Sequence, residues 1–184
     1  NCEKLFDRHP ALREKVDAIL YCTQSPDYIM PSNGCLLQAK LGVSEDSFVL
    51  DFNLACSGFV YGMATASGLL ASSQASNILL VTSETYSKYI NPQDRSIHVL
   101  FGDACAVTWL TGDSDEGMLG MSDIICQTSG ALGSQFMIPA GGARNPKSKK
   151  TAELKKDRSG NIRSDEEIVM NGLGVLAFVN SKVP

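Results

Sequence analysis

Cys56 is the residue of this chain best placed to act as a nucleophile. It stands in Asn53-Leu54-Ala55-Cys56-Ser57-Gly58-Phe59. An apolar run that reads as a strand (47–53) precedes it, and a nearly uncharged run that reads as a helix (57–72) follows. A cysteine at such a turn faces the carboxyl end of the sheet, where open α/β folds place ligands. The unpaired N–H groups and positive dipole end of the helix favour the thiolate, which is the nucleophilic form. Gly58 is expected to leave space beside this sulfur. Spacing alone leaves a second reading open, a buried structural thiol. A thiolate that accepts an acyl group also needs a pair of oxyanion donors and a group for proton transfer, usually His. The two histidines are His9 and His98. His9 precedes Pro10 in a charged stretch that reads as exposed. His98 lies ahead of Phe101-Gly102-Asp103, where a general-base role and a loop-packing role are both open.

The elements that must hold Cys56 follow from hydrophobic patterning. Short apolar runs at 17–23, 47–53 and 77–83 read as buried strands. Between them, 31–41 reads as a helix with Pro31 near its first turn and Gly42 just past its end. The second helix, 57–72, is apolar on every side, which predicts burial all round. Its small residues, among them Gly58, Gly62, Ala66 and Gly68, allow close approach of neighbouring backbone. Each interior glycine costs up to about 1 kcal/mol of helix propensity, so tight packing is expected in return. Strand, helix, strand, helix, strand is the signature of a parallel sheet covered on both faces. A polar loop at 87–96, strands at 104–111 and 117–129 with a hairpin turn at Gly112-Asp113, and a short strand then a helix within 167–180 complete the reading.

Length and composition bound the rest. The 184 residues, 43% of them hydrophobic and 20% charged, suit one α/β domain with a substantial core. They exclude disorder, collagen and coiled coil. No apolar run reaches the ~18 residues of a membrane helix, and the charged opening does not read as a signal peptide. A net charge of −4 argues against a general nucleic-acid binder. Charge is uneven, however. Residues 144–163 hold eight Lys/Arg against two acids, a net of +6 that leaves −10 on the remainder. With its Ser, Gly and Asn this segment, extended to 165, reads as a basic surface loop; a role in holding a phosphate is also open. None of the six cysteines forms a C-x-x-C pair or a zinc spacing. A reducing, cytoplasmic setting is expected, with most of these thiols buried as small apolar groups.

An ordered set of motifs carries a family resemblance. Ser25-Pro26-Asp27-Tyr28-Ile29-Met30-Pro31-Ser32 comes first, then Ala55-Cys56-Ser57-Gly58-Phe59, then Asp94-Arg95 leading to Leu100-Phe101-Gly102-Asp103. Pro139-Ala140-Gly141-Gly142 and Met170-Asn171-Gly172 close the series. Together they resemble the amino-terminal half of 3-oxoacyl-(acyl-carrier-protein) synthase III, the initiating condensing enzyme of type II fatty-acid synthesis. The resemblance implies a thiolase-like fold, layered αβαβα, of which this chain holds the first of two duplicated halves. It implies acyl transfer from acyl-CoA to Cys56, then decarboxylative condensation with malonyl-acyl-carrier-protein. It implies no metal or redox cofactor, acyl-CoA entering as substrate, and a homodimer with 57–72 and 77–83 near its interface. By position Arg95 matches an arginine that stacks on adenine, Phe101 an acyl-pocket wall, and Met30 a residue crossing to the partner's pocket. Met170 and Gly172 fall in a matching substrate-side segment. Core packing is the alternative for Phe101 and Met30.

Departures from the pattern matter as much. The family's catalytic His and Asn motifs are matched by no residue here, nor are its late oxyanion glycine and its opening tryptophan. The sole tryptophan, Trp109, reads as mid-strand, and Cys105 stands where the family has glycine. The chain is therefore expected to be a fragment ending at the inter-half junction, Val183-Pro184, and inactive in condensation by itself. Two other readings stay open: a related enzyme of secondary metabolism, and a non-catalytic subunit that binds acyl-CoA or supports a partner. A nucleotide-binding domain is disfavoured, because no G-x-G-x-x-G follows a strand.

Overall fold

The computed structural model describes residues 1–112 and 120–182. The chain divides into two compact units: Asn1–Glu84 with Ala104–Cys126, and Thr85–Asp103 with Gln127–Pro184.

The first unit opens with helices α1 (Cys2–Arg8) and α2 (Leu12–Lys15). Strand β1 (Ala18–Cys22), helix α3 (Asn33–Leu41), strand β2 (Phe48–Phe52), helix α4 (Gly58–Ala71) and strand β3 (Asn77–Thr85) follow. Strand β4 (Asp103–Thr111) completes a sheet of order β2-β1-β3-β4. β1 pairs in parallel with both neighbours, Ala18 lying opposite Phe48 on one side and Ile78 on the other.

Alternation along the strands assigns the two faces of this sheet. Ile19, Leu79 and Val81 point to one side, where they meet Phe6, Leu12, Val16 and Leu41. Ala18, Leu20, Ile78 and Leu80 point to the other, against Ala66 and Leu69 of α4. A fully buried Ile or Leu contributes roughly 1.5–3 kcal/mol, and five such side chains on β1 and β3 are almost wholly buried. Gly42 closes α3 in the left-handed conformation, φ 64°, as its position past the last apolar residue predicts. The helix begins at Asn33, so Pro31 lies outside its first turn.

Other expectations need correction. α4 is buried along one stripe only, Gly58, Gly62, Ala66 and Leu69; Phe59 and Val60 on its other side are 45% and 40% exposed. An all-apolar composition shows that a helix is able to bury every face, not that it does. The described part of the segment read as a strand at 117–129 has no regular structure. Residues 117–119, Asp113 of the expected hairpin turn, and the junction residues Val183-Pro184 lie outside the described residues. Only Cys2 and Cys22 are buried; Cys35, Cys56, Cys105 and Cys126 are exposed.

The second unit gathers helix α5 (Arg95–His98), strand β5 (Phe136–Met137), strands β6 (Lys155–Lys156) and β7 (Ile162–Arg163), strand β8 (Val169–Met170) and helix α6 (Gly172–Lys182). β5 pairs antiparallel with β8, and β6 with β7. Its core is Tyr86, Ile90, Ile97 and Ile168. The basic segment 144–165 is exposed over most of its length, yet it is folded: it contains the β6–β7 hairpin and buries Thr151 and Ser164.

Candidate active site

Cys56 lies in a single 3-10 turn, Ala55–Ser57, between the carboxyl end of β2 and the first residue of α4. Its side chain is exposed. Ala55 before it has φ 48°, a left-handed conformation that costs a non-glycine residue of order 1 kcal/mol or more. The turn is tied by Ser57, whose N–H and Oγ both donate to the Leu54 carbonyl, at 3.2 and 2.8 Å. No hydroxyl of Ser57 caps α4, and the first N–H of the helix, that of Gly58, donates to the Ala55 carbonyl.

Gly58 is buried, but not for the reason read from sequence. The space its missing side chain leaves is taken by the Cys22 sulfur, not by Cys56. A Cβ built on Gly58 would sit 2.2 Å from Cys22 Sγ, and one on Gly62 would sit 2.5 Å from Leu80 Cδ1. The two glycines let α4 lie directly on β1 and β3. Burial raises the Cys22 thiol above its ordinary value, partly offset by a backbone hydrogen bond involving Leu54, with Glu84 adding a smaller upward push.

Two carboxylates that sequence reasoning passed over build the surrounding loops. Asp51, on β2, accepts from the N–H groups of Asn33 and Gly34 at 2.7 and 2.9 Å, which caps the amino end of α3. Glu84, at the end of β3, accepts from Gln24 N–H and Ser25 Oγ, both at 2.8 Å. It anchors the loop that leads to Tyr28, Ile29 and Met30, which are 60%, 94% and 79% exposed. The available signal was a lone acid inside or closing an apolar strand run, Phe48-Val49-Leu50-Asp51-Phe52 and Asn77–Glu84.

The remaining candidates belong to the second unit. Arg95 is the first residue of α5 and is exposed; Asp94 precedes it and caps the helix by accepting from Ser96 N–H at 3.0 Å. His98 ends the same helix, exposed. Phe101 is half-buried, stacked on Phe136 (5.6 Å between centroids) and edge-on to Tyr86 (5.6 Å). Met170 packs against the same cluster, whereas Gly172 opens α6 with nothing within 4 Å of where its Cβ would be. Phe101 and Met170 are thus brought together. Cys56 and Met30 belong to the first unit, Met30 on its loop and Cys56 on its turn. His9, also in the first unit, is exposed and rests on the Trp109 ring at 5.2 Å. Trp109 lies within β4, its indole donating to Asn77 Oδ1 at 3.1 Å. Asp103 is held below the usual carboxylate range, chiefly by the Ser87 hydroxyl (2.6 Å) and its N–H (2.8 Å).

Comparison with known proteins gives this geometry a relationship. A family profile described as 3-oxoacyl-(acyl-carrier-protein) synthase III matches residues 50–130, which include Cys56, Arg95 and Phe101. The chain is 37% identical over 154 residues to the beta-ketoacyl-(acyl-carrier-protein) synthase III of Chlamydia pneumoniae, covering 84% of this chain and 45% of that protein. A crystal structure of a 3-oxoacyl-(acyl-carrier-protein) synthase III superposes with TM-score 0.92 at 40% identity, over 99% of this chain and 54% of that one. A 3-oxoacyl-(acyl-carrier-protein) synthase from Burkholderia xenovorans gives TM-score 0.79 at 29% identity, over 100% and 50%. The sheet with its parallel strands β1, β2 and β3 and these superpositions define a thiolase-like α/β protein. The chain spans about half the length of the relatives it matches. Within the thiolase-like class, the proteins it is similar to are 3-oxoacyl-(acyl-carrier-protein) synthases III.

Proposed function

We propose that this chain carries the nucleophilic half of a fatty-acid condensing enzyme, an acyltransferase whose covalent acceptor is Cys56. The observation that carries the reading is the exposed Cys56 on a tight turn at the start of α4, directly after a strand of the parallel sheet. In the first step the Cys56 thiolate attacks the thioester carbon of acyl-CoA. The new C–S bond forms, the bond to CoA breaks, and CoA leaves as a thiol with one proton from solvent. In the second, malonyl-acyl-carrier-protein loses CO2. The electron pair released forms a carbon–carbon bond to the acyl carbon, and Cys56 leaves as thiolate. Neither step calls for a metal or redox cofactor. Arg95, on the exposed start of α5, suits stacking on a planar base, and the Phe101–Met170 cluster suits an acyl-chain wall. The exposed Tyr28-Ile29-Met30 loop suits a homodimer contact, and a cytoplasmic setting fits the free thiols.

Condensation needs the family's His and Asn, which no residue of this chain matches. The 184-residue chain alone is therefore proposed to load but not to condense. Intact-mass spectrometry after incubation with a panel of acyl-CoAs tests this. A single acyl addition, lost in Cys56→Ala, supports the reading; no addition, or an addition that survives in Cys56→Ala, overturns it. The second reading, an acyl-CoA-binding subunit without turnover, is favoured by tight acyl-CoA binding with no covalent addition.

A further inference from the structure

The turn that carries Cys56 has no buried residue of its own. Leu54, Cys56 and Ser57 are exposed, and Ala55 is half-buried. Its backbone is strained at Ala55, φ 48°. A strained conformation of this kind persists only where its surroundings enforce it, so the turn must be fixed at its two ends. One end is β2, whose Phe52 carbonyl accepts from Thr23 N–H at 3.1 Å. The other is Gly58, which is buried.

Both ends meet one side chain of β1. Cys22 lies opposite Phe52 in the sheet register, is 3% exposed, and its sulfur occupies the place beside Gly58 where a side chain would stand. The Phe52 ring continues that support along α4, 3.8 Å from the Cβ position of Gly58 and 3.2 Å from that of Gly62. The backbone hydrogen bond with Leu54 favours the Cys22 thiolate, which makes Leu54 N–H the donor and the sulfur the acceptor. Ser57 ties the same residue from the other side, its N–H and Oγ donating to the Leu54 carbonyl. Leu54 is therefore held through its N–H by Cys22 and through its carbonyl by Ser57. Cys56 is carried between Leu54 and Gly58. Neither step of the acyl transfer above uses the Cys22 thiol, which burial keeps protonated.

We propose that Cys22 is a positioning residue for the nucleophile: its sulfur seats Gly58 and Leu54 and so fixes where Cys56 stands relative to a bound thioester. The proposal rests on the reading of Cys56 as the acyl acceptor. Bond formation tolerates little misplacement, and a shift of about 1 Å costs up to about a hundredfold in rate. Trimming a buried side chain leaves a space into which its neighbours relax only in part. Cys22→Ala removes both the seat of Gly58 and the acceptor for Leu54 N–H, and frees the turn to move. The loss should fall on the rate of attack and leave the affinity for the acyl donor unchanged, because Cys22 is buried behind the turn and touches no ligand.

The test follows acetylation of Cys56 by acetyl-CoA in the 184-residue chain, by intact mass over time at a series of acetyl-CoA concentrations. These give a maximal rate and a half-saturating concentration. The variants are Cys22→Ala; Cys22→Ser, which keeps an acceptor for Leu54 N–H; and Cys2→Ala. Cys2→Ala trims the other buried thiol, on the sheet face away from α4, and controls for lost stability. Cys22→Ala is expected to lower the maximal rate about tenfold, with the half-saturating concentration within about twofold of wild type. Cys22→Ser should keep the maximal rate within about threefold, and Cys2→Ala within about twofold. Hydrogen exchange at the Ser57 and Gly58 amides should quicken severalfold in Cys22→Ala and not in Cys2→Ala. The inference is overturned by an unchanged maximal rate in Cys22→Ala, by a change in half-saturation alone, by an equal loss in Cys2→Ala, or by a serine variant no better than alanine. No acetylation of wild type sinks the proposed function. Amide exchange then decides the role of Cys22, and equal exchange in Cys22→Ala and wild type overturns it.

Discussion

Gly58 and Cys22 are packed so closely that the glycine has no room for a side chain: its Cβ would lie 2.2 Å from the cysteine's sulfur. Gly58→Ala should therefore destabilise the chain by roughly 1–3 kcal/mol, the usual range for overpacking, despite alanine's better helix propensity. The same Cβ would be 3.5 Å from Cys22 Cβ, an ordinary contact. Cys22→Ala/Gly58→Ala should then recover most of the loss. Urea denaturation of the two variants checks this; a double variant as unstable as the single one would show that the clash lies elsewhere.

Thiol reactivity should split by burial. Burial is the largest of the effects raising the Cys2 and Cys22 thiols above their ordinary value, so both stay protonated and shielded at neutral pH. Peptide mapping after brief iodoacetamide treatment should find them unlabelled until denaturant is added. Cys56 should label fastest of the four exposed cysteines, and prior acylation by acyl-CoA should protect it alone. Because these two thiols hold their protons more tightly folded than unfolded, their contribution to stability is complete below ~8.5 and fades as pH climbs past it.

Removing one partner of the Asp94–Arg163 pair should harm the second unit. Asp94 is 1% exposed and Arg163 19%, so Arg163→Met leaves a carboxylate buried with its main countercharge gone. The expected cost is about 3 kcal/mol, the low end for a broken buried pair because Arg163 keeps some contact with water. Thermal unfolding of Arg163→Met against Arg163→Lys measures it, the lysine variant losing less.

Acid should weaken the second unit through three carboxylates. Asp103 and Asp157 are held below the usual range first by hydrogen bonds from the Ser87 and Asn161 side chains, and Glu166 by one from Thr151. Groups depressed in the folded state stabilise it above their unfolded values near ~4 and lose that effect as pH falls through the folded values. Carbon-detected NMR titration should find all three still ionised where exposed carboxylates have half-protonated. Ordinary midpoints would refute the assignment.

How much of this was legible beforehand depends on the range of the interactions involved. β1, β2 and β3 were readable as strands because each is a short apolar run, and α3's end from Gly42; burial followed for β1 and β3 but not for β2, whose Phe48 and Leu50 are exposed. The pairing of Gly58 with Cys22 was not, since it joins residues 36 apart on different elements and no local pattern encodes it. The roles of Asp51 and Glu84 were hidden for the same reason: their partners lie on other loops. The hairpin within the basic segment escaped because its two-residue strands carry lysines and a turn held by Asp157, with no apolar alternation to betray it. The outer face of α4 misled because composition alone does not say which faces are covered.

β1 sits at the centre of its three parallel strands, yet Ala18 must await Phe48 and then Ile78 before both its edges are satisfied. At a translation rate of about 5–20 residues per second, the 60 positions to Ile78 take roughly 3–12 s to emerge. For the first half of that interval, until Phe48 emerges, the most apolar strand of the nascent polypeptide has two open hydrogen-bonding edges, and for the second half it has one. Slow codons after position 23 should prolong this vulnerable period, and chaperones that shield extended apolar segments should raise the soluble yield.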